Sequence, residues 1–168
     1  MSRLDSAIRR LTAQRACLDR ALALIADRDG PVLELGLGNG RTFDHLREHV
    51  GEREIFVFER QVMAHPDSVP DDGHLLLGDF HSTLPAALSR VGARAVMAHA
   101  DIGSGERAQT LALAAWLGPV LTALLADGAV VVSDQDLVAP GLTPLPLPDG
   151  VAPGRYFMYR YARPGLPA

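Results

Sequence analysis

Three glycines stand at alternate positions in Val32-Leu33-Glu34-Leu35-Gly36-Leu37-Gly38-Asn39-Gly40-Arg41-Thr42, between an apolar run and the start of a helical pattern. Lacking a Cβ, such a turn can tighten and let a ligand touch the backbone. The helix beyond it would offer unpaired N–H groups, and the positive end of its dipole, to an anionic group. Acids recur at the ends of the apolar runs: Glu34 in the first, Glu59 after Ile55-Phe56-Val57-Phe58, Asp79 beside Phe80, and Asp101 in His99-Ala100-Asp101. A carboxylate accepts hydrogen bonds from hydroxyl and amine donors. Where a reaction needs a base, His99 and Asp101 are the candidates, because histidine titrates near neutrality and both fall at a strand end. Strand-end acids also often do no more than cap the next helix.

These residues need a scaffold, and the hydrophobic pattern supplies one. Leu4, Ile8, Leu11, Leu18, Leu22 and Ile25 recur at steps of three and four, apart from one longer step, and predict an amphipathic N-terminal helix over residues 3–27. Arg15 interrupts the stripe where the next apolar residue belongs. Asp29-Gly30-Pro31 ends the helix. Strands are predicted at 31–35, 55–58, 74–77, 95–100 and 129–132, alternating with helices at 42–50, 82–91 and 106–125. Gly118-Pro119 should break or kink the last of these helices. Strands that are apolar throughout belong to a parallel sheet covered on both faces. The expectation is one α/β domain over residues 1–168: a doubly wound, mostly parallel, Rossmann-like sheet with its core at 31–133. The proline-rich connection 137–154 leaves a single last strand at 155–162, a shortened C-terminal region.

Composition narrows the classes of function. The chain has 168 residues and a net charge of −4 without a basic block, which disfavours a nucleic-acid partner. All 16 basic residues are arginine, so a lysine Schiff base is excluded. Cys17 is the only cysteine and falls in a helical pattern, which predicts packing rather than reactivity. No stretch reads as a membrane span or secretory signal, so a cytoplasmic location is expected. The histidines show no metal-ligand spacing. Trp116 lies on an apolar helix and is expected in the core.

The glycine spacing separates two nucleotide-binding families. A nicotinamide site wants G-x-G-x-x-G, with the third glycine at position 41, where this chain has Arg41. The chain instead resembles the class I S-adenosylmethionine-dependent methyltransferases, whose first motif is an acid followed by x-G-x-G-x-G, as in Glu34 to Gly40. More narrowly, it is similar to short bacterial members with little beyond the core. The resemblance implies S-adenosyl-L-methionine as cofactor, with S-adenosyl-L-homocysteine as product, and a cofactor site spanning Glu34, Gly36, Leu37, Gly38, Asn39, Gly40, Arg41 and Thr42. It implies Glu59, with Arg60 beside it, at the ribose hydroxyls, and Asp79 with Phe80 at the adenine. Asp101 would face the methyl group and the acceptor.

Family members often end with two further strands, the last inserted antiparallel, and here only one is legible. A bare sheet edge would then need covering, and pairing with a second subunit in a homodimer is one solution. If the N-terminal helix lies over the crevice, Arg15 can form a forked pair with the methionyl carboxylate. It could equally pair with Glu34 or another acid, or meet a second subunit. The function expected is methyl transfer to an acceptor the sequence does not identify, a small molecule ahead of a protein side chain; the alternative is a non-catalytic sensor or regulatory module that binds the same cofactor. No Asn-Pro-Pro-Tyr-like motif follows the fourth strand, which disfavours base or glutamine amino methylation of that type.

Overall fold

A computed structural model describes residues 2–165; Met1 and residues 166–168, the two ends of the expected single domain, lie outside the described residues. Helix α1 (Arg3–Leu24) is started by Ser2, whose hydroxyl accepts from the Asp5 N–H while Asp5 returns a bond to the Ser2 N–H. Strand β1 (Val32–Leu35) leads through the glycine turn into α2 (Arg41–His49), and β2 (Ile55–Glu59) and β3 (Leu75–Leu77) follow. Two short helices, α3 (Phe80–Thr83) and α4 (Ala87–Val91), precede β4 (Ala95–Ala100). Then come α5 (Arg107–Thr122), β5 (Leu125–Ser133), β6 (Leu142–Pro144) and β7 (Phe157–Tyr161).

The seven strands lie in the order β3-β2-β1-β4-β5-β7-β6. β1 to β5 run parallel and β7 enters antiparallel to β5, so the doubly wound, mostly parallel sheet expected from the pattern is present. One face packs against Cys17, Leu18, Ala21 and Ile25 of α1 and Phe43 and Leu46 of α2. The other packs against Leu84, Ala87, Val91 and the α5 residues Ala114, Leu117 and Leu121. Trp116 is partly buried against this second cluster. The strand order reverses between β1 and β4, and ligands of open α/β sheets bind beyond the strand ends at that switch. Among the described residues no helix is long and apolar enough to cross a membrane.

Five details depart from the pattern reading. The expected helix over 82–91 is two helices, because Asp79 caps a start at Phe80 and Pro85 then falls where a backbone donor is needed. α5 is not broken at Gly118-Pro119, and Leu117 and Leu121 on either side stay in the core. Gly118 is needed there for another reason: a Cβ would come within 2.6 Å of the Val138 carbonyl, where the chain crosses the helix. The proline-rich connection contains β6, which the prolines hid. Its Pro144 lies on the sheet edge, where a missing N–H costs no ladder bond. β6 therefore lies along the edge of β7 that the single-strand reading left bare.

The last departure concerns α1, in which no residue before Ala13 is buried. Leu4 and Ile8, expected in the core, are 68% and 53% exposed. The face that packs is instead Gln14, Cys17, Leu18, Ala21 and Ile25, spaced by three, one, three and four. It turns Gln14 inward and Arg15 outward. Cys17 is fully buried, and burial pushes its thiol up to about 11.

Candidate functional site

All three glycines of the turn take left-handed conformations, with φ of 92° at Gly36, 52° at Gly38 and 83° at Gly40. They are needed for different reasons. A Cβ on Gly36 would lie 2.6 Å from the Asp101 carbonyl oxygen, so this glycine lets the ends of β1 and β4 close on each other. A Cβ on Gly40 would run into Ser68, 2.9 Å from its carbonyl oxygen. A Cβ on Gly38 would meet nothing within 4 Å. Gly38 alone faces open space, as a residue that lets a ligand approach the backbone must.

Two cavities meet at this turn. The larger, about 470 Å³, is lined by Gly36, Gly38, Glu59, Asp79, Phe80 and Asp101, with Arg60 and residues of the 102–104 loop and α5 at its rim. The smaller, about 90 Å³, lies under α1 among Arg10, Leu11, Gln14, Leu37, Asn39, Arg41, Thr42 and Asp101, and shares Gly36 and Gly38 with the first. The larger has a volume typical of small-ligand sites. Eleven of the sequence-derived candidates therefore converge on one crevice at the switch point. Leu37, Asn39, Arg41 and Thr42 line only its smaller part.

Glu59 closes the crevice from the β2 side. Its Oε2 accepts from the N–H groups of Leu37 at 2.8 Å and Gly38 at 3.2 Å, and its Oε1 from Arg60 at 2.7 Å and Gln61 at 3.0 Å. One carboxylate thus ties the glycine turn to the end of β2 while lining the cavity. Asp79 acts as the N-cap of α3, accepting from the His81 N–H and facing the His81 ring nitrogen at 2.9 Å. Those bonds hold its carboxyl below the ordinary value. The capping role that strand-end acids can play is therefore present at Asp79, together with a place on the cavity wall.

Behind the turn runs a buried polar chain that the sequence did not announce. Glu34 and His99 are register partners on β1 and β4, both fully buried and facing α1 within an otherwise apolar row. Glu34 receives the Thr42 hydroxyl on one oxygen, and His99 Nδ1 lies 2.7 Å from the other. His99 Nε2 lies 3.2 Å from the Tyr156 hydroxyl. Gln14 donates to that hydroxyl at 2.7 Å and to Asp101 Oδ2 at 2.9 Å. Arg10, one turn earlier on α1, stands 3.6 Å from the same Asp101 oxygen. The start of α2 is thus linked to Asp101 through side chains from four further segments of the chain.

Charge within this chain is set by its neighbours. Burial disfavours an imidazolium at His99, but the adjoining Glu34 carboxylate, with Asp101 and Asp134 farther away, outweighs it and raises His99 above its ordinary value. Tyr156 is raised by burial and by the same acids, so its hydroxyl stays protonated. Asp134, at the end of β5, accepts the Ile102 and Gly103 N–H groups at 2.9 Å each. Burial, helped by the charge of Asp101, raises it in spite of those bonds.

Several sequence-derived residues lie outside the crevice. Glu34 and His99 line neither cavity, and both spend their polar atoms on the buried chain. Gly40 lies against Ser68 rather than the cavity. Arg15 is exposed and lines a separate cleft between α1 and α2. Sequence reasoning missed Gln14, Arg10, Tyr156 and Asp134. Gln14 had a usable signal, since it lies three before Cys17 and four before Leu18 on the face that packs. Asp134 carried the same strand-end signal as the other acids. Tyr156 had none, because nothing local marks a residue that pairs 142 positions away.

Similarity to known proteins agrees with this geometry. Residues 1–161 match the family described as S-adenosyl-L-methionine methyltransferase. No curated protein matches the chain. The crystal structure of an S-adenosyl-L-methionine methyl transferase from Silicibacter pomeroyi DSS-3 is 50% identical with a TM-score of 0.90, covering 96% of this chain and 99% of its own. Two more distant structures share the fold alone. TrmN from Thermus thermophilus is 18% identical with a TM-score of 0.59, over 86% of this chain and 48% of its own. S-adenosylmethionine-bound CalS10, an amino pentose methyltransferase from Micromonospora echinaspora, is 17% identical with a TM-score of 0.50, over 88% and 64%. A family match along almost the whole sequence, and a half-identical relative with the same fold, make this chain a member of the S-adenosyl-L-methionine methyltransferase family, with S-adenosylmethionine as its cofactor.

Proposed function

We propose that this methyltransferase acts on a small-molecule acceptor, presented to the cofactor beside Asp101. The observation that carries this reading is the meeting of the two cavities at Gly36, Gly38 and Asp101. The residues present fit the cofactor: Gly38 leaves room where a Cβ would stand, and the larger cavity offers two carboxylates and a phenyl ring. Glu59 would accept from the ribose hydroxyls in exchange for some of the four N–H groups it now holds, with Arg60 beside it. Asp79 would accept from the adenine amine, and Phe80 would pack on the ring. The glycine turn, Asn39, Arg41 and Thr42 would hold the amino-acid half. When bound, the cofactor supplies an electrophilic methyl group on a sulfonium, transferred by in-line displacement that depends on positioning.

Asp101 is the residue available to orient an acceptor or take its proton. It faces both cavities, and Gln14 and Arg10 fix one of its oxygens. His99, walled off behind Tyr156, acts through that chain rather than on the acceptor. The small cavity is roofed by Arg10, Leu11 and Gln14 of α1, which supports a small acceptor over a polymer. Calorimetry with S-adenosylmethionine and S-adenosylhomocysteine, with NAD as control, should give heat for the first two only. Turnover should then appear on a panel of small amines, phenols and acids. Transfer confined to protein or RNA would overturn the small-molecule reading, and no heat with either nucleoside would overturn the site.

A further inference from the structure

One acid that lines neither cavity holds part of the crevice wall. Asp134 follows β5, and its N–H donates to the Ala100 carbonyl at 3.0 Å, just past the last β4–β5 pair. Its carboxylate turns toward the segment that leaves β4. Oδ1 accepts from the Ile102 N–H and Oδ2 from the Gly103 N–H, while the Gln135 side chain donates to Oδ2 at 2.9 Å. Gly103 is seated so closely that a Cβ there would run into Oδ2. Ser104 is held in turn by Thr110, whose hydroxyl accepts its N–H at 3.1 Å. Among the described residues no backbone carbonyl accepts from Ile102, Gly103 or Ser104, so side chains alone satisfy the N–H groups of this stretch. Ile102, Gly103, Ser104 and Thr110 all line the larger cavity, together with Glu59, Asp79 and Phe80.

The position is a costly one for a charge. Burial and the Asp101 carboxylate both oppose ionisation of Asp134, and its own charge raises Tyr156 and His99 above their ordinary values. An asparagine would escape these penalties, but its amide would turn an NH₂ donor toward one of the two N–H groups. The two sides of the crevice are therefore built alike. From β2, Glu59 holds the N–H groups of Leu37 and Gly38; from β5, Asp134 holds those of Ile102 and Gly103. Glu59 also lines the cavity, whereas Asp134 can reach a ligand only through the segment it holds. We propose that Asp134 is a positioning residue, which fixes residues 102–104 as one wall of the crevice and so sets how tightly the nucleoside is held. This rests on the reading of the larger cavity as the nucleoside site. A segment freed from Asp134 would have to be ordered again at each binding event, and that cost is taken from the affinity.

The test joins amide hydrogen exchange of the full chain, followed residue by residue by NMR, with calorimetry using S-adenosylhomocysteine. Asp134→Asn should speed exchange at Ile102 and Gly103 by about tenfold or more. It should weaken S-adenosylhomocysteine by about tenfold, the scale of one hydrogen bond to a charged group. Asp134→Ala leaves both N–H groups unmet and should weaken binding further; if that variant does not fold, Asp134→Asn still decides. Arg53→Ala is the control for lost stability alone. Arg53 donates to the carbonyls of Ile25, Arg28 and Val50 and lines neither cavity, so its loss should lower Tm without changing affinity. Unchanged affinity in Asp134→Asn overturns the proposal, as does unchanged exchange at Ile102 and Gly103, or an equal affinity loss in Arg53→Ala. If the wild-type chain gives no heat with S-adenosylhomocysteine, the nucleoside site fails and this proposal with it. Wild-type heat with an unaffected Asp134→Asn sinks the proposal alone.

Discussion

Gly38→Ala separates the folding role of the glycine turn from its binding role. A Cβ at position 38 meets no atom within 4 Å, so the folded chain has room for it. Its φ of 52° is left-handed, which costs an alanine about 1 kcal/mol. For a domain of this size that lowers Tm by roughly 2–4 °C. The new methyl group would stand in the space shared by the two cavities, against the ligand. Forced overpacking costs about 1–3 kcal/mol, a loss of roughly 5- to 150-fold in cofactor affinity. Gly51 supplies the control, because its φ is 68°, a Cβ there also meets nothing, and it lines neither cavity. Gly51→Ala should therefore show the same Tm loss with unchanged affinity. Thermal melts and calorimetry with S-adenosylhomocysteine measure both quantities. Wild-type affinity in Gly38→Ala would refute the claim that the bare backbone at 38 is where the ligand lies.

Two further outcomes follow from the buried chain. His99 is raised in the folded state, so its contribution to stability is complete below about 6.5 and is lost as pH rises through the raised value. Glu34→Gln removes the charge responsible. The stability difference between wild type and variant, from urea midpoints at about pH 6 and about pH 9, should shrink with rising pH; a constant difference contradicts the assignment. Tyr156→Phe keeps the ring but leaves Gln14 and His99 facing a missing hydroxyl, which should cost about 1–3 kcal/mol in the same assay. An unchanged midpoint would mean that the hydroxyl bridges nothing in solution.

The parts of the fold legible in advance are those fixed by local periodicity. Ala95–Ala100 and the other parallel strands are uniformly apolar because helices cover both faces, and no other arrangement asks for that pattern. β6 was hidden because prolines forbid a central strand but not an edge one, and edge position is a tertiary fact. Leu4 and Ile8 misled for a related reason. Periodicity identifies a helix without saying how far along it the core extends, and here the first three turns lie beyond it.

The site divides along the same line. The glycines, Glu59, Asp79 and Asp101 were legible because their places follow from chain order in a doubly wound sheet, where strand ends collect on one side. Glu34 was legible as an acid but not in its role, which depends on His99 standing opposite it on β4, 65 residues away. Once those two are paired across the sheet, Tyr156 must cover His99, and Gln14 must join Tyr156 to Asp101, or buried polar atoms would go unmet. The acid that opens the glycine motif therefore reaches Asp101 through the N-terminal helix. That is the physical reason α1 belongs to the site, although only its C-terminal half belongs to the core.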